Sequence, residues 1–213
     1  MRLYLSSYRL GNHPEKLLEL LGKGRRTALI FNAADIKPVS ERVASVQNDL
    51  NELKALGLNP FEVDLRAFFE DPTGLREILS NADLIWVRGG NSFVLLRAMH
   101  YSGAGNIIKE LLDQDAVVYG GFSAGIDLLV PNLHGVELVD DMHVTPEGYS
   151  PEVIWEGLGI LPFALAPHYQ SDHPESVEID KVIDYMISHH MPFIALRDGE
   201  VLMINSGVQM VVS

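Results

Sequence analysis

An α/β fold, a largely parallel sheet covered by helices on both faces, is what the sequence predicts from three observations. Short apolar runs alternate with amphipathic stretches along the whole chain. The last two runs, Val201–Ile204 and Val208–Val212, are separated only by Asn205–Ser206–Gly207, which predicts a hairpin and an antiparallel C-terminal edge. No repeat, low-complexity tract or linker interrupts the pattern, so residues 1–213 read as one domain.

In order, strands are expected at Arg2–Leu5, Thr27–Asn32, Phe61–Asp64, Leu84–Arg88, Ala116–Gly120, Phe163–Pro167 and Pro192–Leu196, before the closing hairpin. Helices are expected at His13–Leu21, Val39–Leu56, Gly74–Ser80, Phe93–Met99, Asn106–Asp113 and Glu175–His189. Within Val39–Leu56, Val39, Val43, Val46, Leu50 and Leu53 recur at three and four, which predicts one buried face. Gly57 is a natural stop for that helix. Pro131–Gly159 is long for a loop in a compact domain and reads as an insertion near a site.

Composition excludes several functions. The 213 residues contain no cysteine, which removes disulfides, zinc–thiolate sites, iron–sulfur clusters and any cysteine nucleophile. Asp plus Glu number 29 against 16 Lys plus Arg, a net charge of −13. That balance argues against nucleic-acid binding, which needs a basic face. The N-terminus lacks a signal-peptide pattern, and the most apolar region, 116–133, is too interrupted to span a bilayer. A cytoplasmic protein without membrane contact, monomeric or homodimeric, is the expectation.

The strongest local signal is Gly121-Phe122-Ser123-Ala124-Gly125, between a β-rich run and Ile126-Asp127-Leu128-Leu129. Strand, G-x-S-x-G, helix is the pattern of a nucleophile elbow, in which the serine stands at a helix N-terminus and the Ala124 N–H faces a developing oxyanion. A glycine-rich turn that only packs tightly would read the same way. A serine needs a base, and His168, after Phe163–Pro167, is best placed at a strand end. His189 and His190 suit the end of a helix, and His173 suits a helix start or a substrate contact.

The orienting carboxylate is assigned to Asp198, after Phe193–Leu196, with Glu200 as its neighbour and an ordinary Asp-Gly turn as the plainer reading. The order serine, acid, histidine would instead draw on Asp180 or Asp184, but both fall inside a helix. Arg88-Gly89-Gly90-Asn91-Ser92 is a second strand-to-helix turn, where Gly90 can supply a second oxyanion donor. No Walker pattern, G-x-G-x-x-G or metal-ligand spacing is present, so neither cofactor nor metal is expected.

Taken together, Gly89–Ser92, Gly121–Gly125, Pro167-His168-Tyr169 and Ala195–Gly199 resemble the peptidase E (aspartyl dipeptidase) family of serine peptidases, which is related to cyanophycinase. The resemblance runs nearly end to end. It implies a class I glutamine amidotransferase-like three-layer sandwich and a triad of Ser123, His168 and Asp198, the last where the family commonly has glutamate. It also implies oxyanion donors at Gly90 and Ala124, a short-peptide substrate, and Asp141 as the counterpart of a family aspartate after the elbow. Arg88, Asn91, Asp141 and His173 are the substrate-binding candidates. One departure stands out: Val177 occupies the position of the family's aspartate-binding arginine, and valine cannot neutralise a carboxylate. Arg88 could supply a cation from another direction, or form a structural ion pair.

Overall fold

The computed structural model describes residues 1–213. Its centre is a seven-stranded sheet in the order β3-β2-β4-β5-β1-β8-β9. These strands are β1 (Arg2–Ser6), β2 (Arg26–Ile30), β3 (Asn59–Val63), β4 (Leu84–Val87), β5 (Val118–Phe122), β8 (Val201–Asn205) and β9 (Val208–Val212). The first five pair in parallel. The last two pair antiparallel, as the closing hairpin predicts. Its turn places Ser206 and Gly207 at φ 50° and 84°, the two left-handed residues a tight hairpin needs.

The parallel strands are connected through α1 (Pro14–Leu21), α2 (Val39–Ala55), α3 (Leu75–Ser80), α4 (Ser92–Tyr101) and α5 (Ala104–Asp113). After β5 come α6 (Ala124–Asp127), then a parallel pair, β6 (Ala164–Ala166) and β7 (Phe193–Ala195), separated in sequence by α7 (Ser176–Ser188). That pair stands apart from the main sheet and shares a small core of its own with α7.

Period-two alternation builds a layer on each face of the sheet. Leu3, Leu5, Ala28, Ile30, Ile85 and Val87 enter one core with α3–α6, whereas Tyr4, Leu29, Leu84 and Trp86 enter the other with α1 and α2. In α2 only Val46, Leu50 and Leu53 join that core. Val39 and Val43 remain 71% and 58% exposed, which corrects the continuous apolar face expected from their spacing. Both valines lie in the first two turns of α2, ahead of the residues that join that core.

The fifth strand also differs from expectation, ending at Phe122 rather than Gly120. Gly120 and Gly121 extend it because the neighbouring strand leaves no room for side chains. A Cβ on Gly120 would lie 2.6 Å from the Trp86 ring, and one on Gly121 would lie 2.6 Å from the Val87 carbonyl. The long segment 131–159 folds back onto the domain, with a 3-10 turn at Val136–Leu138 and a bridge between Asn132 and Glu156. No helix is long and apolar enough to cross a membrane.

Candidate active site

The carboxyl ends of parallel strands are where α/β sheets bind ligands, and the sequence-predicted site residues gather there. Strand β5 feeds Ser123, which adopts φ 51° and ψ −126° before α6 begins. A non-glycine residue costs on the order of 1–3 kcal/mol in such a conformation. The turn is held by contacts that only glycine allows. A Cβ on Gly125 would sit 2.1 Å from the Val87 carbonyl, and one on Gly89 would sit 2.8 Å from the Ser123 Cβ. The buried Tyr119 hydroxyl donates to the Gly125 carbonyl at 2.5 Å, tying the far side of the turn to β5.

After β6, His168 adopts φ 62° and is 1% exposed. Its Nδ1 donates to Asp198 Oδ1 at 2.7 Å, which leaves Nε2 with its lone pair free. Asp198 is fixed in turn by the Ser7 hydroxyl, which donates at 2.9 Å, and by its own N–H, which donates to the Ser171 hydroxyl at 2.7 Å. Ser7 also accepts the His168 backbone N–H at 2.8 Å, so one buried hydroxyl positions both partners. Glu200 instead accepts the Arg197 N–H, a local turn contact. Burial pushes the His168 imidazole below its ordinary pKa despite the opposing hydrogen bond from Asp198, and so favours the neutral ring.

Ser123 and His168 line the same two connected pockets, a recess of about 20 Å³ and an outer cleft of about 290 Å³. Gly90, Asp140 and Glu175 line both as well. The Gly90 backbone N–H donates to no protein group, and Gly90 lines both pockets, whereas Ala124 is 1% exposed and lines neither. Gly90 is at φ 146°, and its Cβ would strike the Ala33 carbonyl at 2.4 Å, so the turn can approach so closely only as glycine. Ser123 makes no side-chain hydrogen bond of its own. The His168 ring instead stacks on His173, centroids 3.7 Å apart and planes 8° apart, with Tyr8 edge-on to both.

The remaining candidates take different places. His173 reaches the site through that stack, and its Nδ1 accepts the Glu175 N–H at 3.3 Å. Arg88 borders the outer cleft, but its Nε is paired with Asp49 at 2.5 Å, both side chains being about nine-tenths buried. Asn91 caps α4, accepting the Val94 N–H at 2.9 Å. Asp141 is exposed and accepts the His143 N–H, and it is Asp140, one residue earlier, that lines the pockets. Asp140 Oδ2 accepts the Ser92 N–H at 2.7 Å. Val177 is 66% exposed on the first turn of α7 and lines neither pocket.

Four residues outside the sequence-level candidates belong to this site: Ser7, Asp127, Asp140 and Glu175. A charge at Asp127 within the otherwise apolar run 126–130 was a visible signal, whereas nothing local marks Ser7. The sequence spacing of His168 and His173 argued against a shared metal site. The fold nevertheless brings potential donor atoms of His168, His173 and Glu175 within 4.8 Å of one another. The two imidazoles lie face to face, so their in-plane lone pairs run side by side rather than converge.

Known proteins with the same features extend this picture. The model for peptidase family S51 matches residues 5–211. The chain is 27% identical over 208 residues to a Drosophila melanogaster protein named "Probable alpha-aspartyl dipeptidase", covering 92% of this chain and 80% of that one. It is 26% identical over 192 residues to peptidase E of Haemophilus influenzae, covering 87% and 79%. A crystal structure described as a "Putative Peptidase E Protein" from Listeria monocytogenes superposes with a TM-score of 0.79 at 22% identity, over 99% of this chain and 97% of that one. A peptidase from an acI-B1 Actinobacterium superposes with a TM-score of 0.72 at 18% identity, over 99% and 86%. These neighbours share the class I glutamine amidotransferase-like sandwich. A match that spans both strand-end turns and nearly the whole chain has one conclusion: the protein is a peptidase and belongs to peptidase family S51.

Proposed function

We propose that the protein is a serine peptidase that hydrolyses short peptides, as a dipeptidase does, through Ser123, His168 and Asp198. The observation that carries this reading is a serine in a strained elbow that shares its pocket with a histidine already oriented by a carboxylate. Ser123 Oγ attacks the scissile carbonyl while His168 Nε2 takes its proton, and the C–N bond breaks as the imidazolium protonates the leaving amine. Water then repeats the sequence on the acyl-enzyme. Asp198 keeps the proton on Nδ1 and stabilises the imidazolium, and the Gly90 and Ala124 amides receive the oxyanion.

The hydrogen bond between Ser123 and His168 forms as substrate docks, since such contacts are commonly loose in empty sites. The cleft residues that fit a peptide main chain include Lys37, whose ammonium can face a C-terminal carboxylate. Ser123→Ala is expected to lower turnover of the best dipeptide roughly 10⁴-fold or more, and to abolish labelling by a fluorophosphonate probe. Hydrolysis by Ser123→Ala at the wild-type rate would remove Ser123 from the reaction.

A further inference from the structure

Beside Ser123 the recess is lined by three carboxyl-bearing residues, Asp127, Asp140 and Glu175, and no lysine or arginine lines it. Asp127 is only 8% exposed, its Oδ2 accepts a long 3.4 Å hydrogen bond from Ser92, and its Oδ1 has no partner. Neither Asp127 nor Asp140 forms an ion pair, and Glu175 has only the two histidines within 4.0 Å. An orphaned buried carboxylate oxygen is costly unless something arrives to meet it.

Apolar side chains share the lining with these carboxyls, Val139, Leu165 and Ile179 among them. The space, about 20 Å³, suits one small head group. A lining of carboxyls and apolar side chains complements an ammonium on a hydrocarbon stem, the same division by which lysine buries its methylenes and charges its tip. The only lysine and arginine bordering the connected outer cleft are Lys37 and Arg88, and Arg88 is committed to Asp49. Lys37 is therefore the one unengaged cation at the mouth, and none reaches the recess.

We propose that this recess selects peptides whose acyl-donating residue carries a lysine-type side chain, the ammonium being received by Asp127 and Asp140. The assignment deepens the peptidase reading given above and rests on it for the position of the scissile carbonyl. It makes Asp127 and Asp140 specificity residues, and it assigns a basic side chain to a recess that no lysine or arginine lines.

Substrate binding to the Ser123→Ala protein tests this without turnover. By calorimetry, Lys-Leu is expected to bind at least tenfold more tightly than Leu-Leu, Asp-Leu or Nε-acetyl-Lys-Leu, while Nα-acetyl-Lys-Leu keeps its advantage over Nα-acetyl-Leu-Leu. Adding Asp127→Asn, which preserves shape, should remove most of the difference, and Asp140→Asn should reduce it, so that either variant serves if the other folds poorly. Equal binding of Lys-Leu and Nε-acetyl-Lys-Leu would overturn the proposal. So would an advantage lost on Nα-acetylation, which assigns the recess to the α-ammonium, or an advantage that survives both carboxyl substitutions. Hydrolysis by the wild-type protein is scored separately, so failure of the serine peptidase reading is not confused with failure of the lysine preference.

Discussion

His168 carries two opposing influences at the scale of a single residue. Burial disfavours its charged form, and Asp198 favours it, with burial the larger. A base must be neutral to accept the Ser123 proton, so activity falls as pH drops through the His168 pKa. Because that pKa lies below the ordinary value of about 6.5, kcat/KM should hold a plateau at pH 7 and decline only in more acidic solution. A pH–rate profile with its acid limb centred at or above 7 would contradict this assignment. Asp140 behaves oppositely: burial lifts it to about 6, and burial together with the neighbouring carboxylates raises Asp127 well above the ordinary carboxylate range. A bound ammonium would favour ionisation of both. Asp198 and Glu200 show how two adjacent candidates separate, one reaching the imidazole and the other closing a turn.

At the scale of elements, the elbow exists because β4 and β5 approach at a distance only glycine permits. The Val87 carbonyl at the end of β4 sits where the Cβ of residue 121 or 125 would be. Neither strand can yield, since both are wholly buried in the sheet. Gly125→Ala should therefore destabilise the protein by about 1–3 kcal/mol, the usual cost of overpacking. It should also cut kcat/KM by roughly 100-fold, because small displacements of reacting groups are expensive. Urea denaturation and steady-state kinetics on the same preparation read both quantities, and an unchanged kcat/KM would show that the elbow tolerates the extra methyl group. Strands β6 and β7 have the analogous task for the other half of the site. Though separate from the main sheet, they run parallel and deliver His168 and Asp198 from neighbouring ends.

For the whole molecule, the Arg88–Asp49 pair links the turn after β4 to α2 across 39 residues of sequence. Burial raises the Asp49 pKa even against the neighbouring guanidinium, the signature of a pair whose desolvation is a substantial cost. Arg88→Ala would leave that carboxyl buried without its partner and is expected to cost about 3 kcal/mol. The urea midpoint should fall accordingly. An unmoved midpoint together with weaker binding of acidic dipeptides would return Arg88 to substrate recognition. The net charge of −13 is thus distributed with purpose near the site: acids line the recess, and the one arginine at the cleft is already engaged.

Alternation of apolar runs and amphipathic stretches determined the architecture from sequence alone, because burying both faces of a parallel sheet demands that pattern. The hairpin at 205–208 and the elbow at 121–125 were equally legible, since each rests on backbone geometry that only a few residues supply. Which candidates meet was decided by tertiary structure. Sequence could not distinguish Asp140 from Asp141, because a one-residue offset in an irregular segment sends a side chain to the pocket or to solvent. Nor could it show that Val39 and Val43 stay exposed, that Ser7 reaches Asp198 across 191 residues, or that Arg88 is paired. Local periodicity records which face of an element is apolar. The partner across the fold is set by how separate strand ends converge, and no local pattern encodes that distance.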